Sequence, residues 1–195
     1  STFQKAIGIN VILAQIGFFV AAQNMTYYPF KTLLTRITGN DNIFKAQSSF
    51  MIEINELKTI IKNANKNTLV IADEICRGTE HTSSIIIVSS IIEILTKNDV
   101  SFITASHLHD ICEIDIIKNN KKIYTKHIEI YYDEIKKTLI YNRKMKDGNG
   151  QDFYGLQISQ CMFDDDEFIK VSNIVKNELF KIKKSSYNAL VFKEK

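Results

Sequence analysis

The chain reads as an α/β protein built around a mainly parallel sheet, and three stretches carry that reading. Leu69 to Ala72 form a short apolar run between Thr68 and a pair of carboxylates, Asp73-Glu74. A strand buried on both faces has this pattern where it surfaces at its C-terminal end. Val100 to Ala105 repeat it and run out into Ser106 and His107. Before the Leu69 to Ala72 run, Phe50, Ile54, Leu57, Ile61 and Ala64 recur at helical spacing, with Glu53, Glu56, Lys58 and Lys62 on the other side. Strand and helix in alternation build a parallel sheet, and chemistry in such sheets gathers at the C-terminal strand ends.

Each further element follows from its local pattern. Ala6 to Phe30 carry no charged side chain, which raises the question of a membrane span, but Asn10, Gln15 and two glycines interrupt the stretch. Its strongly apolar part falls short of the ~20 residues needed to cross a bilayer. The reading is a helix from Thr2 to about Ile16, buried against the sheet, then a turn at Gly17 and an extended FFVAA. Residues 24–47 are loop-like around Pro29, with a short strand at about Lys31 to Ile37 and turn formers at Gly39, Asn40 and Asp41. Ser48 or Ser49 caps the helix that follows. After the central strand, a turn from Ile75 to Glu80 leads into a strongly apolar helix, TSSIIIVSSIIEILTKN, with Thr82 or Ser83 as cap.

Beyond Asn119 the pattern changes. HIEIYYDEIKKTLIYNRKM reads as two strands around Asp133-Glu134, an antiparallel extension of the sheet edge. Gly148 and Gly150 mark a loop, and FYGLQIS opens a short helix. The last pattern is a helix with Asp164 to Glu167 at its start and Lys181, Lys183 and Lys184 at its end, charges that complement the helix dipole. Its stripe of Phe168, Val171, Val175, Leu179 and Ile182 calls for burial, in the core of its own subunit or, preferably, in a dimer contact; a basic tail follows to Lys195.

Composition narrows the class. With 195 residues, 45% hydrophobic and 24% charged, the chain can build a substantial core, which argues against intrinsic disorder. A net charge of +3 neither requires nor excludes a polyanionic partner. Cys76, Cys112 and Cys161 include no C-x-x-C pair, and an odd number without a signal peptide points to a reducing, intracellular setting: cytosol, nucleus or viral factory.

An apolar strand ending in Asp-Glu is the Walker B arrangement, in which Asp73 helps to hold Mg²⁺ and Glu74 orients a water on the γ-phosphate; the plainer alternative is a solvated acidic turn. His107 and His109 lie on alternate positions beside Asp110, which invites a metal reading that the Walker B context disfavours. Taken together, STF, SSFMIE, ADEICRGT and TASH come in the order and at the spacing of the ATPase domain of the MutS family of DNA mismatch-repair proteins, and the chain resembles that domain from Ser1 to about Lys181.

The resemblance implies a P-loop NTPase, an ABC-type ATPase lobe over residues 1–163, with a C-terminal helix and tail over 164–195 as dimer contact. It implies ATP and Mg²⁺ as cofactors. Ser1 or Thr2 would be the tail of the phosphate-binding loop, most simply Ser1 as the metal-side hydroxyl, with the first helix lending its N-terminus to the phosphates. Asp73 would be a metal ligand, Glu74 catalytic, and His107 a switch that senses the γ-phosphate. Ser48 or Ser49 would reach a partner's nucleotide across the dimer. Arg36 and Asp41 fall where the family has TRIG and an acidic pair; they suit a salt bridge as well as a contact to nucleotide or partner. The implied partners are a second MutS-like subunit and mismatched double-stranded DNA, held by domains outside this chain, and no membrane.

Starting at Ser1-Thr2 rather than Met, the chain reads as a segment of a longer one without the loop glycines and Lys, so residues 1–195 alone should bind ATP weakly and not turn it over. Three departures from the family bear on hydrolysis rate and not on fold: Ala46 and Cys76 in place of Gly, and Ser83-Ser84 in place of Asp-Gly. They leave room for a non-hydrolysing dimerisation module. An ABC-type ATPase of recombination or chromosome structure is the third reading.

Overall fold

The computed structural model describes residues 1–37, 49–133, 138–150 and 154–191. The expectations for Gly39, Asn40, Asp41, Ala46 and Ser48 lie outside the described residues. Two compact units emerge, Ser1–Thr125 and Lys126–Lys195, and each is described by itself.

The first unit is a parallel sheet of β1 (Thr32–Arg36), β2 (Thr68–Asp73) and β3 (Ser101–Ala105) in the order β1-β2-β3. The central strand is the apolar run, and all six of its residues are buried. Its alternation divides the core. Leu69 and Ile71 pack with Val11 of helix α1 (Thr2–Gln15), while Val70 and Ala72 pack with Leu57 and Ile60 of α2 (Ser49–Asn63) and with Val88, Ile92 and Leu95 of α3 (His81–Lys97). α1 lies so close to β2 that a Cβ on Gly8 would stand 2.9 Å from Ile71 Cδ1, below normal van der Waals contact. Among the described residues no helix is long and apolar enough to cross a membrane.

Three local expectations are corrected. The stretch after Gly17 is not extended throughout: the Ala21 N–H donates to Asn10 Oδ1 at 2.8 Å, and the chain bends there. Neither Thr82 nor Ser83 caps α3; the helix starts earlier, with Glu80 in the cap position, and Ser83 lies in its first turn, its hydroxyl donating to Glu80 Oε1 at 2.5 Å. Glu53 does not face solvent with Glu56 and Lys58 but is buried at 5% exposure, because its ionic and backbone partners lie inside.

After β3, a 3₁₀ turn (His109–Glu113) and the short helix α4 (Asp115–Lys118) close the unit through Ile111 and Ile117. The second unit holds the antiparallel pair β4 (Lys126–Asp133) and β5 (Thr138–Asp147), then α5 (Tyr154–Phe163) and α6 (Asp166–Val191). The hairpin is where the alternation put it, but as a two-stranded sheet of its own rather than as a hydrogen-bonded extension of the parallel one. Its register slips between Ile128 and Ile130, opposite Arg143, whose φ of +55° marks the bulge. α5 and α6 meet through stacked Phe163 and Phe168, 4.3 Å between centroids, and through Gln160 Nε2 donating to Ser172 Oγ at 2.8 Å. Further along the α6 stripe, Val171, Val175 and Leu179 are about half exposed.

Candidate nucleotide site

The C-terminal ends of β2 and β3 gather the polar groups of the site. Asp73, the last residue of β2, is 3% exposed, and it accepts a hydrogen bond at Oδ2 from the Ser1 hydroxyl. Ser1 stands in the cap position of α1 but makes no side-chain cap bond to its own helix, and the first turn has no acidic residue. The positive end of α1, without a side-chain cap, stands beside a buried carboxylate and a hydroxyl. Gln4, one turn on, ties α1 to the same place by donating from Nε2 to the Ala72 carbonyl at 3.0 Å. Thr2 opens the helix and is exposed.

Glu74 follows in left-handed backbone, φ +46°. Its N–H donates to the Ala105 carbonyl at 2.9 Å, which continues the β2–β3 ladder one residue past the strand. Its two carboxylate oxygens are held separately. Oε1 lies 2.6 Å from His107 Nε2 and Oε2 lies 3.0 Å from Arg77 Nη1. His107 itself is largely exposed, so the pair sits at the mouth of the site rather than in the core.

Cys76 is also left-handed, at φ +63°, a conformation glycine adopts without cost and an L-residue does not. The turn is tethered at both of its peptide groups. The Cys76 N–H donates to Glu53 Oε1 at 2.9 Å, and the Cys76 carbonyl accepts from Ser84 Oγ at 2.7 Å. The thiol is 1% exposed, and burial, together with the nearby Glu53 carboxylate, pushes its pKa up to about 11. It is an inert packing group.

Of the residues singled out from sequence, Ser1, Asp73, Glu74 and His107 come together. Ser49 is the first residue of α2. Arg36 forms ion pairs: its Nε lies 2.7 Å from Glu56 and its Nη2 3.8 Å from Glu53. Sequence reasoning missed Glu53 and Gln4. A signal for Glu53 existed: positions 53, 57 and 60 share one helix face, and Leu57 and Ile60 are buried. Gln4 had none, since a polar residue in an apolar helix is ordinarily read as solvent-facing.

A parallel sheet whose buried central strand runs out into Asp-Glu, beside a helix N-terminus and a hydroxyl, defines the class: a P-loop nucleoside triphosphatase lobe. Residues 1–180 match the model of MutS domain V, and the chain belongs to that family. Among its relatives, a DNA mismatch repair mutS homolog of Acanthamoeba polyphaga mimivirus is 44% identical over 96% of this chain, which covers 18% of that protein. The mitochondrial DNA mismatch repair protein mutS homolog of Sarcophyton glaucum is 37% identical over 98% of this chain, 20% of its own length. DNA mismatch repair protein MutS of Bacillus subtilis is 30% identical over 82% of this chain, 18% of its own length. The chain thus spans about a fifth of each of these relatives.

Proposed function

We propose that this chain is the ATP-hydrolysing lobe of a MutS-like DNA mismatch-repair protein, working in a dimer whose nucleotide state drives a clamp on mismatched DNA held by other domains. The observation that carries the reading is the convergence of Ser1, Asp73, Glu74 and His107 at the ends of β2 and β3.

The donor set fits a hard cation. A buried carboxylate and a hydroxyl in direct contact are two oxygen ligands of the kind Mg²⁺ takes, and they sit beside a helix end suited to phosphate. Ser1 Oγ and Asp73 would hold that ion, whose part is to offset phosphate charge during transfer. Glu74, aimed by its left-handed backbone and its bond to Ala105, exchanges the hydrogen bond from His107 for one from the attacking water and orients it in line with the γ-phosphorus. His107, once released, donates to a γ-phosphate oxygen and registers its loss after hydrolysis.

Ser48, or Ser49 at the start of α2, serves the partner's nucleotide, and the exposed stripe of α6, in the C-terminal segment 164–195, contributes to dimer contact. Three free cysteines suit a reducing intracellular compartment. The non-hydrolysing reading draws on Cys76 in place of glycine, but the turn there is built and tethered at both peptide groups, which favours an intact site.

Two substitutions in a full-length polypeptide carrying this domain test the reading. Glu74→Gln keeps the shape but loses the charge, so Mg·ATP should still bind while single-turnover hydrolysis falls by about a hundredfold or more. Asp73→Ala should instead weaken Mg²⁺-dependent ATP binding, by about tenfold or more. Equal loss of nucleotide binding in both variants, or unimpaired hydrolysis in Glu74→Gln, would contradict the assignment.

A further inference from the structure

Glu53 is a carboxylate buried in the wall of the site with no part in the mechanism above. It sits one turn into α2, 5% exposed, and its Oε1 accepts the Cys76 N–H at 2.9 Å. Burial of a charge is costly unless it is paired and hydrogen-bonded, and Glu53 has both: Arg36, at the end of β1, lies 3.8 Å away and is itself anchored by Glu56. The group it holds is not incidental. Cys76 is two residues past Glu74, and both are non-glycine residues in left-handed backbone, at φ +63° and +46°. Each such residue costs energy that the surroundings must offset.

From these observations we infer that Glu53 is a positioning residue for hydrolysis: by holding the Cys76 amide it fixes the strained turn that aims the Glu74 carboxylate. The inference rests on the reading of Glu74 as the hydrolytic carboxylate. Three tethers define the turn. The Glu74 N–H is tied to β3 through Ala105, the Cys76 N–H to α2 through Glu53, and the Cys76 carbonyl to α3 through Ser84. Of these, only Glu53 links the turn to the helix that begins at Ser49, beside the packing of Leu57 and Ile60 with Ile75. A cysteine at position 76 makes the tether more necessary than a glycine would, because the left-handed conformation has no intrinsic preference to fall back on.

The test is a kcat against binding split in a full-length polypeptide carrying this domain. Glu53→Ala removes the acceptor and should lower single-turnover hydrolysis at saturating ATP by about tenfold. Its Mg·ATP affinity should stay within about threefold of wild type, since Ser1, Asp73 and the start of α1 are untouched. Glu53→Gln keeps an acceptor oxygen for the Cys76 N–H, while Arg36 retains Glu56, so hydrolysis should stay within about threefold of wild type. Cys76→Gly, introduced into Glu53→Ala, should recover much of the lost rate, because glycine holds the turn without the tether. Hydrolysis by Glu53→Ala at the wild-type rate would overturn the inference. So would a loss shared equally by ATP binding, or one that neither the Gln variant nor Cys76→Gly relieves, since those mark a purely structural role. Glu74→Gln run in the same assay separates the two readings: if it too hydrolyses normally, the assignment of Glu74 fails first.

Discussion

At the scale of single residues, the site shows how a sequence departure is absorbed. Cys76 takes a backbone conformation that favours glycine, and the hydrogen bonds that its N–H donates to Glu53 and its carbonyl accepts from Ser84 hold it there. Its thiol is nearly inaccessible and its pKa lies at about 11, raised by burial and then by Glu53. In the folded protein at pH 8, Cys76 should therefore react with iodoacetamide at least about tenfold more slowly than the half-buried Cys161, read by mass spectrometry of the labelled peptides. Comparable labelling of the two would mean that the turn opens readily. The sign of the pH effect follows from the same shift. As pH rises above the ordinary thiol value of 9.0, the unfolded chain gives up the proton first, so stability declines through the window from 9.0 to about 11.

At the scale of elements, what could be read was whatever burial imposes on sequence. β2 shows as a continuous apolar run because both of its faces are covered, and α1 and α2 show through their spacing. Asp73, Glu74 and His107 were visible for the same reason, standing where apolar strands end. What was not legible depends on tertiary partners. The helix face that Glu53 shares with Leu57 and Ile60 hints at its burial, but its role shows only once β1 brings Arg36 and the turn brings the Cys76 amide. α3 starts ahead of Thr82 and Ser83, the better capping side chains, because Glu80 takes the extended cap conformation. The hairpin's separate sheet could not be foreseen from alternation alone, which specifies strands but not their neighbours. The apolar stripes of β2 and α6 differ in the same way, and the difference can be measured. Ile71→Ala, at 1% exposure, should lower unfolding free energy by about 2 to 5 kcal/mol, whereas Leu179→Ala, at 56% exposure, should change it by less than about 0.5 kcal/mol. Chemical denaturation of the two variants checks this, and a large loss for Leu179→Ala would mean that the stripe is covered within its own subunit.

At the scale of the whole molecule, the proposed mechanism makes this lobe one half of a site. Under it, Ser1, Asp73, Glu74 and His107 would serve one nucleotide and the start of α2 another, so two lobes would be needed for either site to be complete. The measurement that tests this most directly mixes two variants of the full-length polypeptide, Ser48→Ala and Glu74→Gln, and follows ATP hydrolysis against mixing ratio. If Ser48 acts in trans, a mixed dimer has one site with both defects and one with neither. Random pairing at equal amounts then restores roughly a quarter of wild-type activity, because half the dimers are mixed and half their sites are intact. The account predicts that maximum near equal amounts, well above either variant alone. An activity that never rises above the two parents, with mixed dimers demonstrably present, would contradict it and leave each lobe with a self-contained site.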